Sequence, residues 1–205
     1  DNKVTWYSCG PTVYNSSHMG HARNYVTIDI NRRILQDFFN YNVVFIQNVT
    51  DIDDKIILQA RQEYLFMNYK KDLNGKVSDE LISFVKSGLV KYVKKNLAEF
   101  TELSETDPEW SLKFKKWIST LDVKEVGLTK PKFPMYVNSI MTSIKALETE
   151  TGDFEKFLCM TKDVIVPVLD EELGSTVTDP TIFRECSSYW ERQFDNDMKN
   201  LNVLE

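Results

Sequence analysis

Two short strand-forming runs with one helical stretch between them constrain this chain more than any other feature. Val4-Thr5-Trp6-Tyr7-Ser8 is rich in β-branched and aromatic residues and stops at Gly10-Pro11, which reads as a strand. Val43-Val44-Phe45-Ile46 is a continuous apolar run, the pattern of a strand covered on both faces. Between them, from Gly20 to about Asn40, Tyr25, Ile28, Ile30, Ile34, Leu35 and Phe38 recur at roughly helical spacing. Strand, helix and strand within about 45 residues predict a βαβ unit with parallel strands and a right-handed crossover.

The next helix is expected to start at Thr50-Asp51-Ile52-Asp53 and to run to about Tyr64. Thr50 and Asp53 have the spacing of a capping box, and the acidic first turn suits the positive end of the helix dipole. Residues 65–178 then change character, with no convincing strand and several amphipathic helices. Val77, Leu81, Phe84, Val85, Leu89, Tyr92 and Val93 form one stripe; Trp110, Phe114, Trp117, Ile118 and Leu121 form another after Asp107-Pro108. A third stripe, behind Pro134, carries Val137, Ile140, Met141 and Ile144. A fourth runs from Asp153 through Phe154, Phe157, Leu158 and Ile165, and Pro167 should kink or end it. Asp179-Pro180 sets a cap and a first-turn proline for a last helix bearing Phe183, Cys186, Trp190, Phe194 and Leu201.

The expected organisation is therefore an α/β frame over 1–64, a mainly α-helical insertion over 65–178, and a helix returning to the frame over 179–205. There is no internal repeat and no low-complexity tract.

The two loops that leave the strands should share one rim, because ligands of open parallel sheets bind beyond the strands' carboxyl ends. Cys9 follows the first strand, and Asn48-Val49-Thr50-Asp51 follows the second. The helix beginning near Gly20 points its N-terminus at the same rim, a place that favours phosphate. Gly20 lets backbone and ligand approach without a Cβ between them. His18 and His21, three residues apart, can project to one side of that first turn. Two imidazoles there could bind phosphate oxygens and stabilise charge developing on them.

Charge and cysteine usage narrow the setting. A formal charge of −6 argues against a surface coated in phosphate-binding lysines, though a local basic face is compatible with it. Cys9, Cys159 and Cys186 are an odd, widely separated set without a CxxC pair, which favours a reducing compartment over a disulfide framework. No run reaches the ~18 apolar residues of a membrane span. The start, Asp1-Asn2-Lys3, opens into a strand pattern without a charged-then-apolar leader. A cytoplasmic location and no membrane partner are expected.

His18-Met19-Gly20-His21 resembles the H-x-G-H signature of the class I aminoacyl-tRNA synthetases. Three segments in order are closer still, and resemble the cysteinyl-tRNA synthetases. These are Tyr7-Ser8-Cys9-Gly10-Pro11-Thr12-Val13-Tyr14, Asn48-Val49-Thr50-Asp51-Ile52-Asp53-Asp54-Lys55, and the terminal run from Phe194 to Leu204. The likeness covers roughly 1–60 and 183–205, and the long helical stretch between them resembles that of eukaryotic cytosolic members. It implies the first half of a Rossmann-type parallel sheet, the class I synthetase catalytic fold. It also implies cysteine–tRNA ligase activity, in which ATP and Mg2+ activate cysteine to its adenylate, which is then transferred to tRNA(Cys).

The resemblance also implies roles for residues. Cys9 matches the first ligand of the family's active-site zinc, which binds the substrate thiolate and rejects serine; a soft metal holds a thiolate far better than a hydroxyl. His18 and His21 match the catalytic pair, and with Pro11, Thr12 and Gly20 they form the expected ATP site. Gly10 and Thr50 are the expected cysteine-binding residues. The other zinc ligands, the KMSKS loop and the anticodon-binding helices are expected past Glu205, so the 205-residue chain alone is expected to have little or no activity. Homodimer or synthetase-complex contacts are expected to lie in regions outside it.

Plainer readings stand beside these. Asp29, Arg32 and Arg33 read as solvated helix residues, and Cys159 and Cys186 as apolar-face packing. Lys86, Lys91, Lys94 and Lys95 read as a solvated face before an RNA-facing strip, and Trp110 and Trp117 as core before base-stackers. Two other functions are open. One is a cysteine ligase that acts on an amino sugar through the same adenylation site. The other is a non-catalytic module, with zinc held by Cys9, His18 and His21 or with the insertion as a docking surface.

Overall fold

The β-branched and aromatic runs form β1 (Lys3–Ser8) and β2 (Asn42–Gln47), which pair in parallel in the computed structural model from Lys3↔Asn42 to Ser8↔Gln47. Residues 2–101 and 109–204 are described here, so the expected Asp107-Pro108 boundary lies outside the described residues. The crossover is α1 (Met19–Arg33), followed by a π-helical turn, Ile34–Phe38. Asn40 closes it with a positive φ of 55°. The π turn adds a residue to one helical turn and shifts the apolar phase. This explains why Tyr25 is buried while Ile30, Ile34 and Phe38 of the same stripe are exposed.

Only one face of the strand pair is covered, against the expectation for Val43–Ile46. Parallel register puts Trp6 and Phe45 side by side, their rings edge to face at 5.6 Å. The Arg32 guanidinium of α1 lies 4.9 Å over the Phe45 ring. On the other face Tyr7 and Ile46 are register partners and are 64% and 58% exposed. An apolar run without alternation looks the same whether one face or both are covered, so periodicity alone could not distinguish them.

The chain divides into two units, Asp1–Arg61 with Thr178–Glu205, and Gln62–Val177. In the first, Val13 and Tyr25 pack with Phe194 and Met198 of α8 (Pro180–Asn200). Asp179 accepts from the Thr181 amide and Pro180 occupies the first turn, as the Asp-Pro pair requires.

Asp29, expected to be solvated, is 7% exposed. Its two oxygens accept from Arg33 Nε (2.7 Å) and from the Leu204 amide (3.0 Å). Arg33 also donates to the Asn202 carbonyl oxygen (2.7 Å), and Arg32 to that of Leu204 (3.3 Å). These residues tie α1 to the segment after α8. Nothing in the local pattern could announce such a long-range link.

The helix α2 (Asp54–Asp72) starts four residues later than expected and runs past Tyr64. Asp53 Oδ1, not Thr50, accepts the Lys55 amide (2.9 Å). The helix meets no breaker before Asn74 and Gly75, which both adopt positive φ.

In the unit Gln62–Val177, the stripes read from sequence become α3 (Asp79–Asn96), α4 (Trp110–Ser119), α6 (Phe133–Thr149) and α7 (Phe154–Leu173). A seven-residue α5 (Val123–Thr129) was too short for its period to register. Leu89, Val93, Phe114, Phe133, Ile140 and Val164 are among the residues that build its core, with Trp110 and Trp117 packed against them. Pro167 sits inside α7 without ending it. Cys159 is exposed rather than packed.

Asp29→Ala leaves the Leu204 amide and the Arg33 guanidinium without their acceptor. It should destabilise the unit that holds α1 by about 2 kcal/mol, measured by urea unfolding; a loss below about 0.5 kcal/mol would show the link to be dispensable.

Candidate active site

Past the strand ends the two rim loops remain joined. The Thr50 amide donates to the Pro11 carbonyl oxygen (3.0 Å), and Thr12 and Thr50 form an isolated parallel bridge. The parallel ladder thus reaches two segments further than the strands, and it brings the expected cysteine-binding and ATP-binding loops together.

Asn48 locks this arrangement. Its Oδ1 accepts from the Gly10 amide (3.0 Å) and from the Tyr7 hydroxyl (2.8 Å). A Cβ on Gly10 would lie 1.6 Å from the Asn48 carbonyl oxygen, so no other residue fits at position 10. Gly10 was expected beside substrate, and its local reason is this backbone approach. Cys9 immediately precedes it and is exposed, with only a 3.8 Å contact from its Sγ to the Gly10 carbonyl oxygen.

The imidazole end is built by α1 itself. His18 is its N-cap: His18 Nδ1 accepts the Gly20 amide (3.0 Å), and His21 Nδ1 accepts the His18 amide (3.3 Å). This is a reciprocal capping box made from two histidines instead of Ser/Thr and Glu/Gln. The rings stack with centroids 3.9 Å apart and planes within 14°. Gly20 is required by the same closeness, since a Cβ there would lie 2.8 Å from His18 Cε1.

Both Nδ1 atoms are acceptors, so each neutral ring carries its proton on Nε2 as an N–H donor. Partial burial, and next the neighbouring His18, hold His21 below its ordinary value of 6.5. No acidic residue occupies the first turn of α1, which leaves the positive end of the helix dipole uncompensated by side chains. Neutral donors and a bare helix N-terminus suit an anion such as phosphate.

Two residues at this site escaped the sequence reading. Asn48 was quoted within a motif without a role, and its double acceptor function depends on pairing that no local signal reveals. Tyr25, one turn beyond His21, faces the same rim. Burial raises its hydroxyl pKa, the Cys9 thiol raises it further, and Gln47 works in the opposite direction. Tyr25 also meets Phe194 edge to face at 5.2 Å, so it joins the rim to α8.

Among the described residues no group of three or more His, Cys, Asp or Glu side chains could hold a metal ion. A zinc site made from Cys9, His18 and His21 is therefore not formed; the histidines spend their Nδ1 atoms on each other's backbone. Cys9 can offer a single thiolate.

Family comparison decides the rest. The family described as tRNA synthetases class I (C) catalytic domain matches residues 1–205. The chain belongs to this family. Among its relatives, "Cysteine--tRNA ligase, cytoplasmic" of Drosophila pseudoobscura pseudoobscura is 40% identical over 206 residues, which cover 99% of this chain and 25% of the relative. The proteins of the same name from Gallus gallus and Homo sapiens are 41% and 40% identical over 203 residues, covering 98% of this chain and 25% of theirs. The chain thus spans about a quarter of the length of these relatives. No solved structure matches it. The family fold is the class I catalytic domain, here mostly helical with one small parallel sheet. No helix among the described residues is long and apolar enough to cross a membrane.

Because the folded state holds His21 below 6.5, the unfolded chain takes up that proton first as pH falls. His21 therefore contributes a loss of stability as pH drops through about 6.5 and below. A ¹⁵N-resolved NMR titration should show a His21 midpoint below 6.5, with both neutral rings as Nε2–H tautomers. A midpoint at or above 6.5, or an Nδ1–H tautomer, would contradict the capping geometry.

Proposed function

We propose that the complete protein is a cytoplasmic cysteine–tRNA ligase and that this chain is the first part of its catalytic domain. In this reading residues 65–178 are a helical insertion in a Rossmann-type frame, which resumes at 179–205. The observation that carries the reading is the histidine capping box at the N-terminus of α1, in the family's H-x-G-H signature.

The chemistry follows from the groups present. ATP, with Mg2+, lies against the α1 N-terminus. Pro11 and Thr12 form the loop wall, Gly20 gives close approach, and the Nε2–H groups of His18 and His21 face the phosphate oxygens. When cysteine's carboxylate attacks the α-phosphorus, pyrophosphate leaves and negative charge moves onto those oxygens. Fixed neutral donors stabilise that charge without needing to reorganise. Neither ring acts as a base, since each Nδ1 is already engaged.

Gly10 and Thr50 line the cysteine side of the rim. Cys9 supplies one ligand to a zinc whose other ligands lie outside this chain. Zinc, when bound, takes the substrate thiolate and discriminates against serine. Transfer to tRNA(Cys) completes the reaction.

The test uses the full-length protein. It should show cysteine-dependent ATP–pyrophosphate exchange, and it should charge tRNA(Cys) rather than an amino sugar. His18→Ala should lower kcat by about a hundredfold. Absence of cysteine-dependent exchange, or full exchange by the His18 variant, would refute the reading.

A further inference from the structure

The unit Gln62–Val177 holds an open pocket of about 160 Å3 between α3, α6 and α7, about the size of a void that holds one aromatic ring system. Tyr92, Tyr136, Pro167 and Val168 give it apolar and aromatic walls, and Lys91 and Lys95 stand at its edge. Gly88 keeps the wall thin, since a Cβ there would already press on Val168 at 3.2 Å.

The tyrosine rings lie 6.1 Å apart at 80°, which presents two differently oriented π surfaces. The Tyr92 hydroxyl interacts with the Ser139 side chain, and Ser139 donates to Asp163 Oδ2 (2.6 Å), so that ring is held from behind. Asn96 is fixed by its Nδ2 on the Tyr92 carbonyl oxygen (2.9 Å), and it offers its Oδ1 as an acceptor to a ligand.

Lys91 and Lys95 are four apart on α3, so both heads project on one side. Lys91 meets Glu172 at 3.6 Å with both side chains about half exposed, a pairing weak enough to yield to a phosphate. Glu171 also lines the pocket, so the two lysines act as local phosphate contacts rather than as part of a broad positive field. A ring-sized recess flanked by cations fits a stacked base with its backbone, the mode of single-strand recognition. An acidic peptide would use the lysines and leave the aromatic recess empty. Bases inside a duplex are stacked on each other and out of its reach.

We propose that this pocket takes one unstacked base of a single-stranded RNA segment, stacked on Tyr136, with the neighbouring phosphates on Lys91 and Lys95. The proposal rests on the ligase reading for its RNA, a tRNA, but on the pocket alone for its chemistry.

The test is fluorescence anisotropy of the full-length protein with a labelled ten-nucleotide single-stranded RNA of mixed sequence, with ATP and Mg2+ saturating the other site. Tyr136→Ala should weaken binding about tenfold, and Tyr136→Phe should bind as the wild type does. Lys91→Ala with Lys95→Ala should reduce the log affinity–log salt slope by about 1.4, two single-strand phosphate contacts at about 0.7 each. Cysteine-dependent exchange should stay unchanged in all three variants. Unaltered RNA binding by these variants would overturn the proposal, as would equal binding of a duplex or equal displacement by polyglutamate. Loss of exchange in the wild type would refute the ligase reading and leave the anisotropy result to decide the pocket.

Discussion

The pairing of β1 with β2, and its continuation through Pro11–Thr50 and Gly10–Asn48, is the constraint on which the candidate site depends. Parallel strands end side by side at the same rim, so two segments almost 40 residues apart emerge together. Without the extension, the rim would be two independent loops joined only at their roots. With it, a thiol at Cys9, a hydroxyl at Thr50 and the glycine between them are held on one frame. The cost is sequence freedom at Gly10, where any Cβ would occupy the space of the Asn48 carbonyl oxygen.

The second fixed element is α1. Its first turn is capped by the side chains that the chemistry uses, so the structural and catalytic roles of His18 and His21 are the same bonds seen from two sides. Engaging each Nδ1 leaves each Nε2–H aimed away from the backbone. The partial burial that depresses the His21 pKa keeps that ring neutral near pH 7, which preserves it as a fixed dipolar donor. A protonated ring would carry more charge but would give up the cap. Tyr25 and Phe194 then connect this turn to α8, and the Asp29 link to Leu204 adds a second tie.

Much of this was legible in the residues. The strand–helix–strand order, the shared rim, the single side of the two imidazoles and the Asp-Pro start of α8 each follow from local pattern and held in the structure. The failures have particular causes. Thr50 looked like a cap because a hydroxyl before an acidic turn usually is one, but cross-strand pairing claimed it. Histidine is outside the usual N-cap residues, so the double cap at His18 and His21 could not be read from propensity. Asp29 and Arg33 had the spacing of a solvated pair, and only the return of the chain after α8 buried the carboxylate. Asn48 offers no signal beyond its motif. Pro167 ends most helices, yet packing of α7 carried the helix through it.

The most direct test of the account is Asn48→Ala in the full-length protein, read by the kinetics of cysteine-dependent ATP–pyrophosphate exchange beside the melting temperature. If the Gly10–Asn48–Tyr7 clamp positions the rim, kcat/KM for cysteine should fall by about tenfold or more, with KM for ATP little changed and the melting temperature lowered by only a few degrees. An unchanged kcat/KM for cysteine would contradict the claim that this clamp organises the site.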